Sequence, residues 1–393
     1  MTTSRIRVLA AAAAAAAALS ACGSGDNVGG GKGNNKEPLT IGVITSLSGP
    51  ASVLGGFVKE TLDLYVGQVN SSGGIDGRQV QLEYADDQSN PTQAALALRT
   101  IAAKKPVALV GPVSSSSCAA IVDKVDQLKI PMVTTCATDS QVTPVRKYTF
   151  MSTLPTPGMT EQLANYLKSQ GKNNVAVLYD AGDFGKSGLA NIKEQGLVQV
   201  VDQASYQPKS TTFVPQLTGL ISKRPDAIMV WGSGPPLLTI AKEFRQLGAS
   251  MPLVYSGAAA TPLFLAPAGA AGNGVIMASS LANVLSSVPD TNPSKAVVEK
   301  LGQAYQSKYG KPYSQFTADT CGAWNVLVEA IKKAGTEPEK VRDAMESTPI
   351  VGCHGTYTYS SEDHRGLKAS DVWVAVDQNA KLAATPFSVQ AAG

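Results

Sequence analysis

Leu39-Thr40-Ile41-Gly42-Val43-Ile44 is a short apolar run of the kind that forms a buried strand, and its continuation along the chain decides the fold. Residues 52–70 carry apolar side chains at helical spacing: Leu54, Phe57, Val58, Leu62, Tyr65, Val66 and Val69. Gly73-Gly74-Ile75-Asp76-Gly77 reads as a turn, and residues 79–84 alternate as a second strand. Pro91 stands where a helix begins, in the first turn of a run to residue 103. A strand at 107–110, a helix at 115–128 and a strand at 130–134 complete the series. Strands alternating with helices in this order predict a parallel sheet covered on both faces.

The rhythm restarts after the proline-rich joint Thr153-Leu154-Pro155-Thr156-Pro157. Strands are expected at 174–179, 198–201, 227–231 and 253–255, with helices at 185–195, 214–222 and 237–247 between them. A return strand at 274–278 and helices at 294–309, 315–334 and 338–347 come next. The expected fold is α/β, with two doubly wound Rossmann-like lobes joined by a hinge. Lobe 1 would comprise 38–153 plus 275–367, and lobe 2 would comprise 154–274 plus 368–393. Open α/β sheets bind ligands at the carboxyl ends of their strands, so two such edges facing each other make a closing cleft.

The N-terminus carries a different signal. Arg5 and Arg7 precede a mostly alanine stretch at 8–19, which is shorter than the ~20 residues a membrane span needs but suits a signal peptide. It ends in Leu19-Ser20-Ala21-Cys22-Gly23, which resembles the bacterial lipobox. Residues 1–21 therefore read as a lipoprotein signal peptide and Cys22 as the lipidation site. The Gly/Ser/Asn-rich segment 22–37 reads as a flexible tether. An exported protein held to the cell membrane by an N-terminal lipid is the expectation. Without Arg5 and Arg7, the 33 bases fall to 31 against 30 acids, too even a balance for a nucleic-acid partner.

Cys118, Cys136, Cys321 and Cys353 remain, an even number compatible with two disulfides in three connectivities. Pairing of chain neighbours is preferred, with buried free thiols as the alternative. With only His354 and His364 in the chain, no metal site is expected, and no cofactor.

Several motifs together resemble a known family. They are Ile41-Gly42-Val43 with Ser48-Gly49-Pro50, Val69-Asn70 with Gly73-Gly74-Ile75 and Gly77, and Asp86-Asp87 with Pro91. Gly111 with Ser114-Ser115, Ile130-Pro131, Ala137-Thr138, Tyr179-Asp180 to Phe184-Gly185 and Pro225-Asp226-Ala227 continue the series. In number, order and spacing they resemble the type I periplasmic solute-binding proteins of the branched-chain amino-acid ABC transporters. The resemblance covers 38–385. It implies a monomer that captures a small solute, docks on permease subunits and is not an enzyme.

The same resemblance implies a site. Ser114-Ser115-Ser116-Ser117 lies at a strand-to-helix junction, where hydroxyls and unpaired N–H groups favour an anion. One serine is expected to cap the helix, and Ser114 or Ser115 to bind a ligand carboxylate. Cys136, Ala137 and Thr138 would add N–H and hydroxyl donors. Phe184 matches a position whose ring covers the ligand, and Leu54 replaces an aromatic wall. Trp231 reads equally as wall or as core. Related amino-acid binders hold the ligand ammonium with an acid after a second-lobe strand, yet Tyr255-Ser256-Gly257-Ala258-Ala259-Ala260 has none. Either another acid, such as Asp183 or Asp319, takes that role, or the ligand lacks an ammonium. A branched-chain amino acid and an aromatic or aliphatic acid are both compatible.

Other motifs point elsewhere. Gly182-Asp183-Phe184-Gly185-Lys186-Ser187 looks like a phosphate loop, but that motif needs glycine where Asp180 stands. His364 is expected in a surface turn. A secreted esterase would need a histidine beside one of the serines. A lipid-anchored sensor feeding a receptor is the non-enzymatic alternative.

Overall fold

The computed structural model describes residues 36–392, so Cys22 and the expected signal peptide lie outside the described residues. The chain begins with β1 (Leu39–Thr45), α1 (Ser52–Ser71), β2 (Val80–Asp86), α2 (Pro91–Ala102), β3 (Ala108–Val110), α3 (Ser115–Leu128), β4 (Met132–Thr134) and β5 (Thr149–Met151). These strands form one parallel sheet in the order β2-β1-β3-β4-β5. β1 and β3 are buried along nearly their whole length, because helices cover both faces. The edge strand β5 adds a fifth member to the four strands that the sequence pattern predicts.

α4 (Thr156–Ser169), β6 (Asn174–Asp180), α5 (Asp183–Gln195), β7 (Gln199–Tyr206), α6 (Val214–Ser222), β8 (Ala227–Trp231), α7 (Pro236–Gln246), β9 (Leu253–Tyr255), α8 (Pro262–Ala268) and β10 (Ile276–Ser279) build the second layer. Next come α9 (Pro293–Tyr309), α10 (Gln315–Ala334), α11 (Pro338–Glu346) and a two-stranded ribbon of β11 (Ile350–Val351) with β12 (Thr356–Tyr357). β13 (Trp373–Asp377), β14 (Leu382–Ala384) and α12 (Pro386–Ala392) end the chain. The second sheet has the order β14-β13-β10-β9-β8-β6-β7, parallel from β10 to β7, with β13 and β14 antiparallel at one edge.

β10 corrects the expected lobe boundary. Ile276 pairs with Val254 and with Val376, so the second sheet keeps the chain through Ser279 instead of releasing it at 275. Only then does the chain cross back, and α10 packs on α1, β3 and β4 of the first lobe. The crossing after β5 is held by two buried tyrosines: Tyr359 donates to the Met151 carbonyl and Tyr357 to the Ser152 carbonyl, each at 2.6 Å.

His364 is also corrected. The ring is 1% exposed and stacks on Phe150 at 4.0 Å. Nδ1 meets the carbonyls of Arg146 and Thr149 at 2.8 and 2.9 Å, and Nε2 meets Glu346 at 3.1 Å. The Ser360–Asp363 turn is exposed, but the next residue folds inward to serve the backbone beside β5.

Candidate functional site

The carboxyl ends of both sheets converge on one cavity of about 320 Å³ between the lobes, near the lower end of small-ligand pockets. Segments after nine strands reach it: Pro50 to Leu54 after β1, Ser89 after β2, Val113 to Ser116 after β3, Thr135 to Ala137 after β4, and Thr153-Leu154 after β5. Asp180 to Phe184 after β6, Pro208 after β7, Ser233 to Pro236 after β8 and Gly257-Ala258 after β9 face them. Gln315, Phe316 and Asp319 enter from α10.

The first-lobe wall is a donor surface. Gly111 makes the approach possible: its φ is +95°, and a Cβ there would stand 2.0 Å from the Ile44 carbonyl oxygen. The chain then enters α3, whose first helical hydrogen bond runs from Cys118 N–H to the Ser114 carbonyl. The N–H groups of Ser115, Ser116 and Ser117 precede it without helical acceptors. Ser114 occupies the capping position, yet its hydroxyl makes no capping bond, and the first turn has no acid. The expected serine cap is therefore present in position only, which leaves the hydroxyl free toward the cavity. The Cys118–Cys136 disulfide ties this turn to the loop after β4; Cys321 pairs with Cys353. That loop is held from behind, because Gln141 Nε2 and Thr153 Oγ1 both donate to the Cys136 carbonyl, at 2.8 and 3.0 Å.

Thr138 is a correction. It is fully buried beyond the cavity lining and its hydroxyl pairs with Ser140 at 3.1 Å, because the chain turns away into the short helix at Asp139–Gln141. Trp231 is another. It is 1% exposed and forms core beneath Phe184, with ring centroids 5.9 Å apart. Gly188 supplies the room, since a Cβ there would meet the Trp231 ring at 2.2 Å. Phe184 and Leu54 line the cavity, and Trp231 backs Phe184.

The cavity is richer in acid than the local sequence around 255–260 implies. The segment 257–258 contributes no carboxylate, but Asp180, Asp183 and Asp319 all line the cavity, and no lysine or arginine does among the described residues. Asp180 lies just ahead of α5 and accepts from the N–H of the N-cap residue Gly182 at 2.8 Å; burial nevertheless pushes its carboxyl up, against the pull of the Gly182 and Gly185 N–H groups. Asp183 is the first residue of the same helix, so both acids sit at its positive end. Asp319 is 4% exposed and rises by burial, with His354 pulling the other way. Its Oδ1 takes His354 Nε2 at 2.7 Å and Gln315 Nε2 at 3.3 Å. Ser116, Asp180 and Gln315 are site residues that local sequence missed; the run of four serines and the strand-end Tyr179-Asp180 were the available signals.

Across the cleft the lobes meet at the N-termini of α3 and α5, where a Cβ on Gly182 would stand 3.8 Å from Ser116 Oγ. The α5 end is neutralised by Asp180 and Asp183, whereas the α3 end is not. The positive end of the α3 dipole is thus left unanswered by side chains, an environment that favours an anion over a cation.

Comparison with known proteins agrees with this architecture. The chain is 29% identical over 334 residues to the Leu/Ile/Val-binding protein BraC3 of Rhizobium johnstonii, covering 82% of this chain and 87% of that protein. It superimposes on a leucine-binding protein LivK from Thermotoga maritima with a TM-score of 0.76 and 26% identity, over 88% of this chain and 97% of the other. An extracellular ligand-binding receptor from Rhodopseudomonas palustris shares the fold at a TM-score of 0.83 and 20% identity, over 88% and 99% of the two chains. The family model for periplasmic binding proteins matches residues 38–379. The chain belongs to the periplasmic binding protein family.

Proposed function

We propose that this protein captures a small carboxylate-bearing hydrophobic solute, a branched-chain amino acid or an aromatic or aliphatic acid, and delivers it to the permease of an ABC importer. The family binds solutes outside the cytoplasm and is not an enzyme class. The observation that carries the ligand class is the unneutralised N-terminus of α3, whose uncapped Ser114 and free first-turn N–H groups line a cavity to which Leu54, Leu154, Phe184 and Phe316 add apolar walls. An acid-free first helical turn facing a cavity favours an anion. Similarity to Leu/Ile/Val-binding proteins supports the amino-acid member of the class. The Leu19-Ser20-Ala21-Cys22 motif supports lipid anchoring at Cys22.

Calorimetry on the purified protein tests the assignment. A thermal-shift screen of aliphatic amino acids, aromatic acids, amides and short fatty acids first identifies carboxylates that stabilise it, since stabilisation follows occupancy. Ser114→Ala with Ser115→Ala is expected to weaken the best of these by at least about tenfold. Thr138→Ala, which lies away from the cavity, changes affinity by less than about twofold. Unchanged affinity in the serine double variant sinks the anion-site reading.

A further inference from the structure

We infer that Asp319, carried into the cleft by α10 and held by the buried His354, takes an ammonium group of the solute, so that the site prefers amino acids to the matching acids without nitrogen. This rests on the carboxylate-capture reading above and names the opposite end of the same ligand.

Three carboxylates line the cavity, and their surroundings separate them. Asp180 and Asp183 belong to the N-terminal end of α5, whose N–H groups and dipole already answer their charge. Asp319 lies more than a turn inside α10, whose N-terminus is closed by the reciprocal Ser314–Thr317 capping box. Its partners are one imidazole and one amide, both on Oδ1. Oδ2 accepts no hydrogen bond from the described residues, although the side chain is more than nine-tenths buried and lines the cavity. Oδ2 is not sealed inside the protein and so is left to the cavity, where an acceptor without a protein donor is open to a ligand cation.

Contacts behind Asp319 hold it in place. Asn283 donates to Gln315 Oε1 at 3.0 Å and to Ser279 Oγ at 3.1 Å, linking the end of β10 to α10. The Cys321–Cys353 disulfide anchors the loop that carries His354 to the same helix. Among the described residues His354 Nδ1 has no partner, and the shortest contact of its imidazole is Nε2 to Asp319 at 2.7 Å, with Gln315 Nε2 beside it at 3.4 Å. Asp319 is therefore preset with one oxygen bound and one offered. It supplies from the crossover segment the acid that the loop at 255–260 lacks.

Paired ligands test this directly: leucine against 4-methylpentanoate, and phenylalanine against 3-phenylpropanoate, by calorimetry. Wild type is expected to bind the amino acid of at least one pair tenfold or more tighter than its partner, about the strength of a charge-assisted hydrogen bond. Asp319→Asn brings that ratio to within about threefold, whereas Asp183→Asn keeps it at about tenfold or more. The chain has two histidines, so the ¹⁵N-imidazole spectrum reports His354 without any variant. The amino acid moves its Nε2 signal and the nitrogen-free acid does not. Equal wild-type affinities, an Asp319→Asn protein that keeps the preference, or an unmoved Nε2 signal overturns the assignment and leaves carboxylate capture standing. If neither member of either pair binds wild type, carboxylate capture fails and this inference fails with it.

Discussion

Asp319 and Ser114 show how single residues at this site are left unsatisfied by the fold. Burial raises the Asp319 carboxyl above its ordinary range even with His354 beside it. A carboxyl raised in the folded state holds its proton more tightly there than in the unfolded chain. Its contribution to stability is complete below the ordinary aspartate value of about 3.9 and is lost as pH climbs through the raised folded value. Asp319→Asn escapes that loss while its amide oxygen can still accept from His354. The unliganded variant should therefore melt above wild type near neutral pH, with the gap closing toward about pH 4. Calorimetric scans of both proteins across this range decide it; a gap that does not vary with pH contradicts the assignment. The same group that weakens the empty protein would hold the ligand, the usual exchange of stability for function at a binding site.

Among the elements, α5 shows how packing sets a ligand wall. Its buried face is Gly185, Gly188, Leu189 and Ile192, and the two glycines let the helix lie close over β6 and β8. Gly185 has no room for a side chain, since a Cβ would sit 2.0 Å from the Asp180 carbonyl oxygen. At Gly188 the obstacle is the Trp231 ring, which in turn backs Phe184. Gly188→Ala must push the helix outward or displace the indole, and overpacking of this kind destabilises by about 1–3 kcal/mol. Urea titration should show that loss, and solute affinity should fall as well because Phe184 moves with the helix. A variant as stable as wild type would mean that the indole is free to yield. α3 makes the opposite use of its start, with four serines where α5 has acids, and that difference in charge gives the cavity its polarity.

At the scale of the molecule, two sheets share one cleft and the chain passes between them three times: after β5, after β10 and before β13. Contacts between α3 and α5 span the cleft, so the described arrangement has the lobes together. Hinged capture requires that solute favour this arrangement over an open one. Small-angle scattering should give a smaller radius of gyration when a solute found in the stability screen is added to saturation. An identical profile with and without that solute would exclude closure as the response to binding. The crossing after β5 has its Met151 and Ser152 carbonyls held by Tyr359 and Tyr357, which confines the bend to the few residues beyond them.

Local pattern alone determined a great deal of this. The alternation of strands and helices, the extents of α3, α6 and α10, and the donor-rich start of α3 all follow from periodicity, caps and turn residues within a few positions of one another. Those signals record that a face is buried without recording what buries it. Only the tertiary structure decided that β10 stays with the second sheet, that Trp231 lies under Phe184, that Thr138 and His364 turn inward, and that Asp319 meets His354 in the cleft. Each of these depends on a partner brought close by packing, and Asp319 reaches the serines of α3 from about 200 positions further along the chain. Contacts of that separation leave no periodic trace in either segment, so the sequence could name Asp319 as a candidate acid but could not show that it lines the same cavity as the serines of α3.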